Sequence, residues 1–346
     1  EATEQIQSQI GKVQHATSET SLGCSQNYSG QEEKVYRKTI WMFLWMFLCS
    51  PCVPSLWAGS AGQLFSFGDS GIDNGNVFSV TDGLEPADPY WEGRFSNGFN
   101  YLDVLAQAVP GWEATPWSYG GTNAAFGGAQ SGLGFAVAGV PNAGEQVLQF
   151  QAEYGEAYAS SDMILFSMGQ NDLLFAGSSP PDPADVAADM LEAFWLAHEN
   201  GARSFIFPTL FPLQLMPGVV NDASVDLDQV ADWVTQVNTE ADALIAEFKA
   251  AHPDVIVIRT DLTRLISKVY ANPEKYGLTN VTDSAYTGDF FGEGGSVAQD
   301  SDTWLWWDEA HVTATVQELV ATWVLWDVQN GLFPDQSSPR PVWEVF

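Results

Sequence analysis

The stretch "QLFSFGDSG", residues 63–71, joins a short apolar run to a turn that presents a serine. The run at 63–67 is shorter than a typical helix and suits a strand that is covered on both faces of a sheet. Further runs of this kind follow, each ending in turn-type residues: MILFSM (163–168), SFIFP (204–208) and VIVIR (255–259). A weaker strand is predicted near 112–115. The sequence therefore predicts a buried sheet, with Ser70 just beyond the end of its first strand.

Amphipathic stretches separate these runs. Apolar residues recur at steps of three and four over 225–250, and similar patterns cover 183–202 and 313–328. Pro183 lies near the start of one such stretch and Gly201 just past its end, as in many helices. Alternating strands and helices predict an α/β fold: a three-layer α/β/α sandwich with a central parallel sheet, flavodoxin-like in kind. Ligands are expected beyond the carboxyl ends of the strands.

Composition limits what the chain can bind. Its 346 residues are 45% hydrophobic, enough for a sizeable core, and 44 acidic residues against 12 basic ones give a net charge of −32. Nucleic acid is not expected as a partner, because phosphate binding requires clustered lysine and arginine. The charge also disfavours an anionic membrane surface. Two explanations of the acidity stay open: solubility, and adaptation to high salt, where screening removes the repulsion among acidic groups.

The beginning of the chain differs from the rest. Residues 1–36 are polar and unpatterned, and we predict either a disordered extension or a segment outside the mature protein. Residues 37–60 contain IWMFLWMFLC (40–49), with a basic flank before it and small residues after it, which predicts a secretory signal peptide. About ten apolar residues are too few for a transmembrane helix, so no stable membrane insertion is expected. Residues 61–346 are predicted to form a single domain that is secreted or periplasmic.

Residues capable of catalysis follow the predicted strands. Ser70 follows the first strand, and Asn171, in GQND, follows the strand at 163–168. Asp308 and His311 lie in WWDEAHVT, directly before the last predicted helix. Because the carboxyl ends of parallel strands share one edge of a sheet, these side chains are candidates for one site.

The string GDSG is similar to the catalytic motifs of several hydrolase designs, three of which do not fit this chain. A trypsin-like serine comes after its histidine and aspartate in the chain, whereas Ser70 opens this domain. A pepsin-like site needs a second D[ST]G motif, because two carboxylates share a proton, and only Asp69 begins such a motif here. The α/β-hydrolase elbow requires glycine where Ile72 stands. A single D[ST]G motif therefore gives little support to an aspartic protease that acts through Asp69.

Short blocks in a fixed order run between residues 63 and 329: FSFGDSGIDNGN (65–76), GRFSNG (93–98), NAAFGGAQ (123–130), GQND (169–172), NPEKYGLTNVTD (272–283) and DEAHVT (308–313). This series resembles the GDSL, or SGNH, hydrolases, in particular their secreted microbial branch, and implies the SGNH hydrolase form of the fold. The chain departs from the family pattern at Gly71, Ile72 and Val312, where leucine, serine and proline are usual. Gly71 is expected to loosen the turn that presents Ser70 and so to reduce activity.

The resemblance implies a catalytic triad. Ser70 is the implied nucleophile and His311 its general base. Asp308 stands three residues before His311, close enough for its carboxylate to reach Nδ1 and leave Nε2 facing the serine. Ordinary structural roles are the competing interpretation: a turn serine, a buried histidine and a helix-capping aspartate.

The resemblance also implies an oxyanion hole. Its donors are the backbone N–H groups of Ser70 and Gly128 and the side-chain amide of Asn171. Gly127 is the alternative glycine, and an Asx turn is the competing role for Asn171. No metal and no cofactor are expected, because the sequence contains no H-E-x-x-H, no EF-hand loop and no cysteine set.

The expected function is a secreted serine esterase that hydrolyses carboxylic esters with short to medium acyl chains, small or polymer-attached, through an acyl-enzyme. Alternatives are a carbohydrate acetyl esterase or lysophospholipase of the same family, and a catalytically silent relative that binds polysaccharide. Several tryptophans suit contact with sugar rings or acyl chains, although core packing fits them equally well: Trp91, Trp112, Trp117, Trp304, Trp306 and Trp307. We expect WLWW (304–307) to contribute to the wall of the site. The oligomeric state is left open.

Overall fold

The computed structural model of the protein describes residues 62–136, 139–177 and 179–332. The predicted polar extension (1–36) and the predicted signal segment (37–60) lie outside the described residues. Within the described ranges, no helix is both long enough and apolar enough to cross a lipid bilayer.

A four-stranded parallel sheet in the order β1-β2-β3-β4 forms the centre of the fold. Its strands are β1 (Leu64–Gly68), β2 (Met163–Ser167), β3 (Ser204–Pro208) and β4 (Ile256–Thr260). Every residue of the first three strands is buried, whereas β4 at the edge is partly exposed. The predicted strands are confirmed to within one residue at each end, because short apolar runs suit a sheet that is covered on both faces.

Helices connect the strands. They are α1 (Asn76–Val80), α2 (Tyr101–Ala108), α3 (Ala143–Tyr154), α4 (Gln170–Leu174), α5 (Pro183–Glu199), α6 (Pro217–Val220), α7 (Leu227–Ala251), α8 (Leu262–Ala271) and α9 (Ala314–Leu332). The long helices predicted from periodicity correspond to α5, α7 and α9. At the start of α5, Asp182 accepts a hydrogen bond from the N–H of Ala184 at 2.9 Å, a typical N-cap interaction.

The helices cover both faces of the sheet. On one face, α3, α5 and α7 pack side by side. There, Phe207 of β3 contacts Phe194 of α5, and Arg259 of β4 pairs with Asp242 of α7 at 2.7 Å. The preceding residue of β4, Ile258, packs against Gly331 of α9. Because neighbouring strand residues point to opposite faces, these contacts place the sheet between two helical layers, which confirms the predicted α/β/α sandwich.

A second, two-stranded parallel sheet pairs β5 (Asn280–Ser284) with β6 (Trp304–Trp306). Hydrophobic patterning does not predict it, because β5 is polar and β6 is only three residues long. The strand predicted near 112–115 is wrong: these residues form no strand. The next residue, Pro116, forms only an isolated parallel bridge with Asn123, which in turn bridges Ser66 of β1. The second sheet matters for function, because β6 leads directly into the segment that carries Asp308 and His311.

Candidate active site

Ser70 stands in a tight turn directly after β1. The turn begins at Gly68, whose φ is +151° and where a Cβ would lie 1.9 Å from the carbonyl oxygen of Ser167, so only glycine fits. The N–H of Asp69 donates to that same carbonyl oxygen at 2.9 Å, and the N–H of Gly71 donates to Asp69 Oδ1 at 3.0 Å. Hydrogen bonds on both sides of Ser70 therefore hold it at the carboxyl end of the sheet.

A buried carboxylate ties this turn to the glycine block at 123–130. Asp73 accepts hydrogen bonds from the N–H groups of Gly75 at 2.9 Å, Asn76 at 2.7 Å and Gly127 at 2.8 Å. Asn123 adds a second link, donating from Nδ2 to the carbonyl oxygen of Ile72 at 2.8 Å. The two loops that flank the nucleophile are thus held together by side chains whose roles the sequence does not predict.

The loop after β6 brings an aspartate and a histidine into contact. The N–H of Trp307 donates to the carbonyl oxygen of His311 at 2.7 Å, which closes the loop. Inside it, Asp308 Oδ1 accepts from the N–H groups of Ala310 at 2.8 Å and His311 at 2.7 Å. These bonds orient the Asp308 carboxylate toward the imidazole of His311.

Ser70, His311 and Asp308 form a continuous hydrogen-bonded chain. Ser70 Oγ lies 2.7 Å from His311 Nε2. His311 Nδ1 lies 2.8 Å from Asp308 Oδ2 and 3.0 Å from Oδ1. When the imidazole is neutral and carries its proton on Nδ1, Nε2 is free to accept the serine proton. The structure thus brings together the residues that the sequence singles out as nucleophile, base and carboxylate.

Burial and nearby charge shift the pKa values of Asp308 and His311 in opposite directions. Burial alone would raise the pKa of Asp308, but the charge of His311 and the hydrogen bonds from His311 and Ala310 outweigh it and lower that pKa. Burial alone would lower the pKa of His311, but the charge and hydrogen bond of Asp308, together with the charge of Asp69, raise it. Both pKa shifts favour the state in which a charged imidazolium faces an ionised carboxylate. This state forms when the histidine takes a proton.

Asn171 lies at the start of α4, directly after β2. Its Nδ2 donates one hydrogen bond to the carbonyl oxygen of Ala129 at 2.8 Å. An amide nitrogen carries two protons, so this bond orients the side chain and leaves a second N–H to donate. The next residue, Asp172, accepts from the N–H of Ser131 at 3.0 Å and from its hydroxyl at 2.7 Å, which joins α4 to the residue directly after the glycine block.

Gly127 and Gly128 occupy different environments. The N–H of Gly127 is bonded to Asp73, and a Cβ at Gly127 would lie 2.5 Å from the ring of Phe95. Gly128 has a φ of +85°, and a Cβ there would meet no atom within 4 Å. Its N–H, like that of Ser70, has no hydrogen-bond partner among the described residues. Gly128 rather than Gly127 is therefore the glycine with a free donor in the described lining of the cavity that contains Ser70.

A cavity of about 1580 Å³ contains Ser70, Gly128, Asn171 and His311 in its lining. Much of its wall is apolar or aromatic: Trp117, Phe126, Phe175, Phe211, Trp233 and Phe290. Apart from His311, the charged side chains that line it in the described residues are all carboxylates: Asp69, Glu85, Glu153, Asp222, Asp226, Asp232 and Glu309. The cavity can hold a long apolar group, and the carboxylates of its lining disfavour an anionic ligand.

Of the tryptophans that the sequence singles out, all within the described ranges, only one lines this cavity. Trp117 lines the cavity together with Trp233, which the sequence does not single out. Trp306 and Trp307 are fully buried, and no tryptophan of WLWW belongs to the described lining of the cavity. The expectation that WLWW contributes to the wall of the site is therefore wrong, because Trp306 and Trp307 lie in the interior and Trp304 packs against the buried cluster that includes Trp307.

Other residues that sequence reasoning does not single out support the site. The ring of Phe95 packs on the imidazole of His311, with centroids 5.2 Å apart. Tyr90 donates from its hydroxyl to Asp308 Oδ2 at 2.8 Å. Phe95 belongs to GRFSNG, a block noted in the sequence, whereas Tyr90 precedes that block and carries no motif signal. Among the described residues, no group of three or more His, Cys, Asp or Glu side chains is placed to hold a metal ion.

Known proteins resemble this chain along most of its described length. A family model described as GDSL-like lipase/acylhydrolase matches residues 64–324. The chain is 25% identical over 235 residues to a phosphatidylcholine-sterol acyltransferase of Aeromonas hydrophila, a match that covers 66% of each protein, just under two thirds. It is 24% identical over 336 residues to a GDSL esterase/lipase of Medicago truncatula, covering 77% of this chain and 86% of that protein. The crystal structure of a lipolytic G-D-S-L family member from Veillonella parvula is 17% identical, with a TM-score of 0.40, and the match covers 76% of this chain and 96% of that one.

Proposed function

Because this chain belongs to the GDSL-like lipase/acylhydrolase family and is a carboxylic ester hydrolase, we propose that it cleaves its substrates through an acyl-enzyme formed on Ser70. The observation that carries the proposal is the hydrogen-bonded chain from Ser70 through His311 to Asp308, beside an apolar cavity. The family gives the class of reaction, and the hydrogen bonds from Ser70 to Asp308 support the assignment of roles.

In the first step, His311 Nε2 takes the Ser70 proton as Oγ attacks the carbonyl carbon of the ester. The carbonyl oxygen gains negative charge and accepts hydrogen bonds from the N–H groups of Ser70 and Gly128 and from the amide of Asn171. His311 then gives its proton to the leaving alcohol, and the acyl group stays on Ser70. A water molecule then gives a proton to the same imidazole as it attacks the acyl carbon. The bond from that carbon to Ser70 Oγ breaks, Oγ takes the proton back from His311, and the acid is released.

Asp308 stabilises the imidazolium that exists between these proton transfers. Its carboxylate is buried and already accepts backbone N–H groups from its own loop, so it does not need to reorganise when the charge on His311 appears. Preorganised charge of this kind lowers the barrier without cost at the moment of reaction.

The substrates that we propose are neutral esters with short to medium acyl chains. The apolar wall supports an acyl group, and the carboxylates of the lining disfavour substrates with a negative charge. The cavity is larger than the roughly 300–1,000 Å³ of ordinary small-molecule sites, so the acyl series must extend to long chains. Neutral p-nitrophenyl esters of increasing length, measured beside acetylated xylan and a lysophospholipid, would separate the alternatives. A clear maximum on acetylated xylan would replace this proposal with a carbohydrate esterase.

The decisive experiment removes the nucleophile. Ser70→Ala is expected to lower kcat on p-nitrophenyl butyrate by on the order of 10³-fold or more, because acyl transfer loses its attacking oxygen. Its circular dichroism and melting temperature should match those of the wild type. Retention of turnover in this variant would disprove the acyl-enzyme. Absence of turnover in the wild type, combined with binding to a polysaccharide, would instead favour a silent relative.

We also propose that the protein is exported. The support is the apolar segment at 40–49 with its basic flank. Expression of the full chain in a bacterial host should release a protein whose first residue, read by mass spectrometry, falls near Ala58 or Ala61. Recovery of uncleaved chain from the cytoplasm alone would contradict export.

A further inference from the structure

The carboxylate of Asp308 is hydrogen-bonded on both oxygens. Oδ1 accepts from the backbone of its own loop, as described above. Oδ2, which faces His311 Nδ1 at 2.8 Å, also accepts from the hydroxyl of Tyr90 at 2.8 Å. Tyr90 stands 218 residues earlier in the chain, in a loop before α2. The Tyr90 hydroxyl thus contacts Oδ2 from a distant segment, outside the loop that carries Asp308 and His311.

The surroundings of Tyr90 hold that hydroxyl in place. The side chain is 3% exposed and packs edge-on against Trp307, with ring centroids 5.9 Å apart, and against Tyr286, at 5.5 Å. Its loop is anchored by the N–H of Ala87, which donates to the carbonyl oxygen of Phe290 at 2.9 Å. Burial and the charge of Asp308 raise the pKa of Tyr90, so it stays protonated and acts as a donor.

Tyr90 does not belong to the described lining of the cavity, so it has no contact with a substrate there. The Tyr90 ring packs against Phe95 and Phe290, which line the cavity, but its hydroxyl meets the reacting groups through Asp308. A donor on Oδ2 does two things: it fixes the rotation of the carboxylate, and it withdraws some of the charge that the carboxylate offers to the imidazolium.

We propose that Tyr90 is a positioning residue of the active site, which sets the orientation of Asp308 and through it the basicity of His311. The inference rests on the proposed function, since it assigns His311 as the general base. It extends the hydrogen-bonded chain to a fourth side chain, running from Tyr90 through Asp308 and His311 to Ser70.

The test is Tyr90→Phe, which removes one oxygen and keeps the ring and its packing. We expect kcat to fall roughly tenfold, on the scale of one lost hydrogen bond to a charged group, with KM unchanged because the cavity is untouched. The acid limb of the kcat/KM profile should move to higher pH by roughly half a unit, because a carboxylate without this donor holds the imidazolium more strongly. Asp69, the other charge that acts on His311, is unaltered by this substitution.

Tyr286→Phe is the matched control. Tyr286 belongs to the same buried cluster and is 2% exposed, but its hydroxyl donates to the carbonyl oxygen of Asp289 at 3.0 Å and not to Asp308. This variant loses the same atom from the same cluster, and it should leave kcat and the acid limb unchanged. Equal effects in the two variants would show that the cluster acts only through packing, and would overturn the proposal.

Two further measurements keep the inference separate from the proposed function. In an Asp308→Ala background, adding Tyr90→Phe should change kcat less than twofold, whereas an undiminished tenfold loss would rule out action through Asp308. The pKa of His311, followed by NMR with labelled histidine, should rise in Tyr90→Phe whether or not any ester turns over. An unchanged His311 pKa, together with unchanged kcat, would refute the positioning role even in a protein whose esterase activity depends on Ser70.

Discussion

At the scale of single residues, the proposed reaction depends on the pH at which His311 changes its charge. The imidazole must be neutral to accept the serine proton, and the charge and hydrogen bond of Asp308 raise its pKa against the effect of burial. Activity is therefore expected to fall as the pH drops through this raised value, with the acid limb of kcat/KM above the ordinary histidine pKa of about 6.5.

Asp308→Asn tests this coupling. The amide cannot stabilise the imidazolium, so the acid limb should move to lower pH while kcat falls by on the order of 10³–10⁴-fold. Initial rates on p-nitrophenyl butyrate between pH 5 and 9 give both quantities. An acid limb that stays at its wild-type position would mean that another group controls it, and Asp69, with a pKa raised to about 7 by burial, would be the next candidate.

At the scale of elements, the turn after β1 and the glycine block act as one unit because Asp73 binds both. Asp73 is fully buried and accepts N–H groups from the start of α1 and from Gly127. Asp73→Ala would leave these donors unpaired in the interior, and we expect a loss of about 3 kcal/mol or more in the free energy of unfolding. The neighbouring N–H of Gly128 would lose its fixed direction, so kcat should fall as well.

Urea denaturation measures the stability change, and Asp73→Asn is the control. Asparagine keeps one acceptor oxygen in the same place, so its loss should be clearly smaller than that of alanine. Because asparagine keeps the volume of aspartate, equal losses in the two variants would indicate that the effect comes from the charge and not from the hydrogen bonds that the remaining acceptor oxygen can keep.

At the scale of the whole molecule, the net charge of −32 dominates. Most of the 44 acidic side chains cannot be paired by 12 basic ones, and their mutual repulsion destabilises the compact state at low ionic strength.

If the acidity is an adaptation to salt, the melting temperature should rise by several degrees between about 0.01 and 1 M NaCl, as the Debye length falls from roughly 30 to 3 Å. Chloride is preferred to sulfate for this test, because sulfate stabilises folded proteins in general. A melting temperature that stays flat or falls would reject the adaptation.

The sequence alone predicts the α/β/α architecture and the strands of the main sheet, because buried parallel strands and amphipathic helices leave local apolar patterns. It predicts Ser70, Asn171, Asp308 and His311 as candidates, because each stands in a short block of recognisable composition. It does not predict β5 and β6, whose short and polar strands carry little periodicity. It also does not predict Tyr90 or Asp73, because their roles depend on contacts between distant segments.

The amino-acid order by itself determined the class of fold and the candidates for catalysis, since both depend on local pattern and residue type. Only the tertiary structure decided which of these side chains meet. Ser70 and His311 are separated by 241 positions in the chain and by 2.7 Å in space. It also distinguished Gly128 from Gly127, and turned the tryptophans before Asp308 into the core. The physical reason is that a catalytic site is a set of distances and directions, and these arise from packing between segments and not from the composition of any one of them.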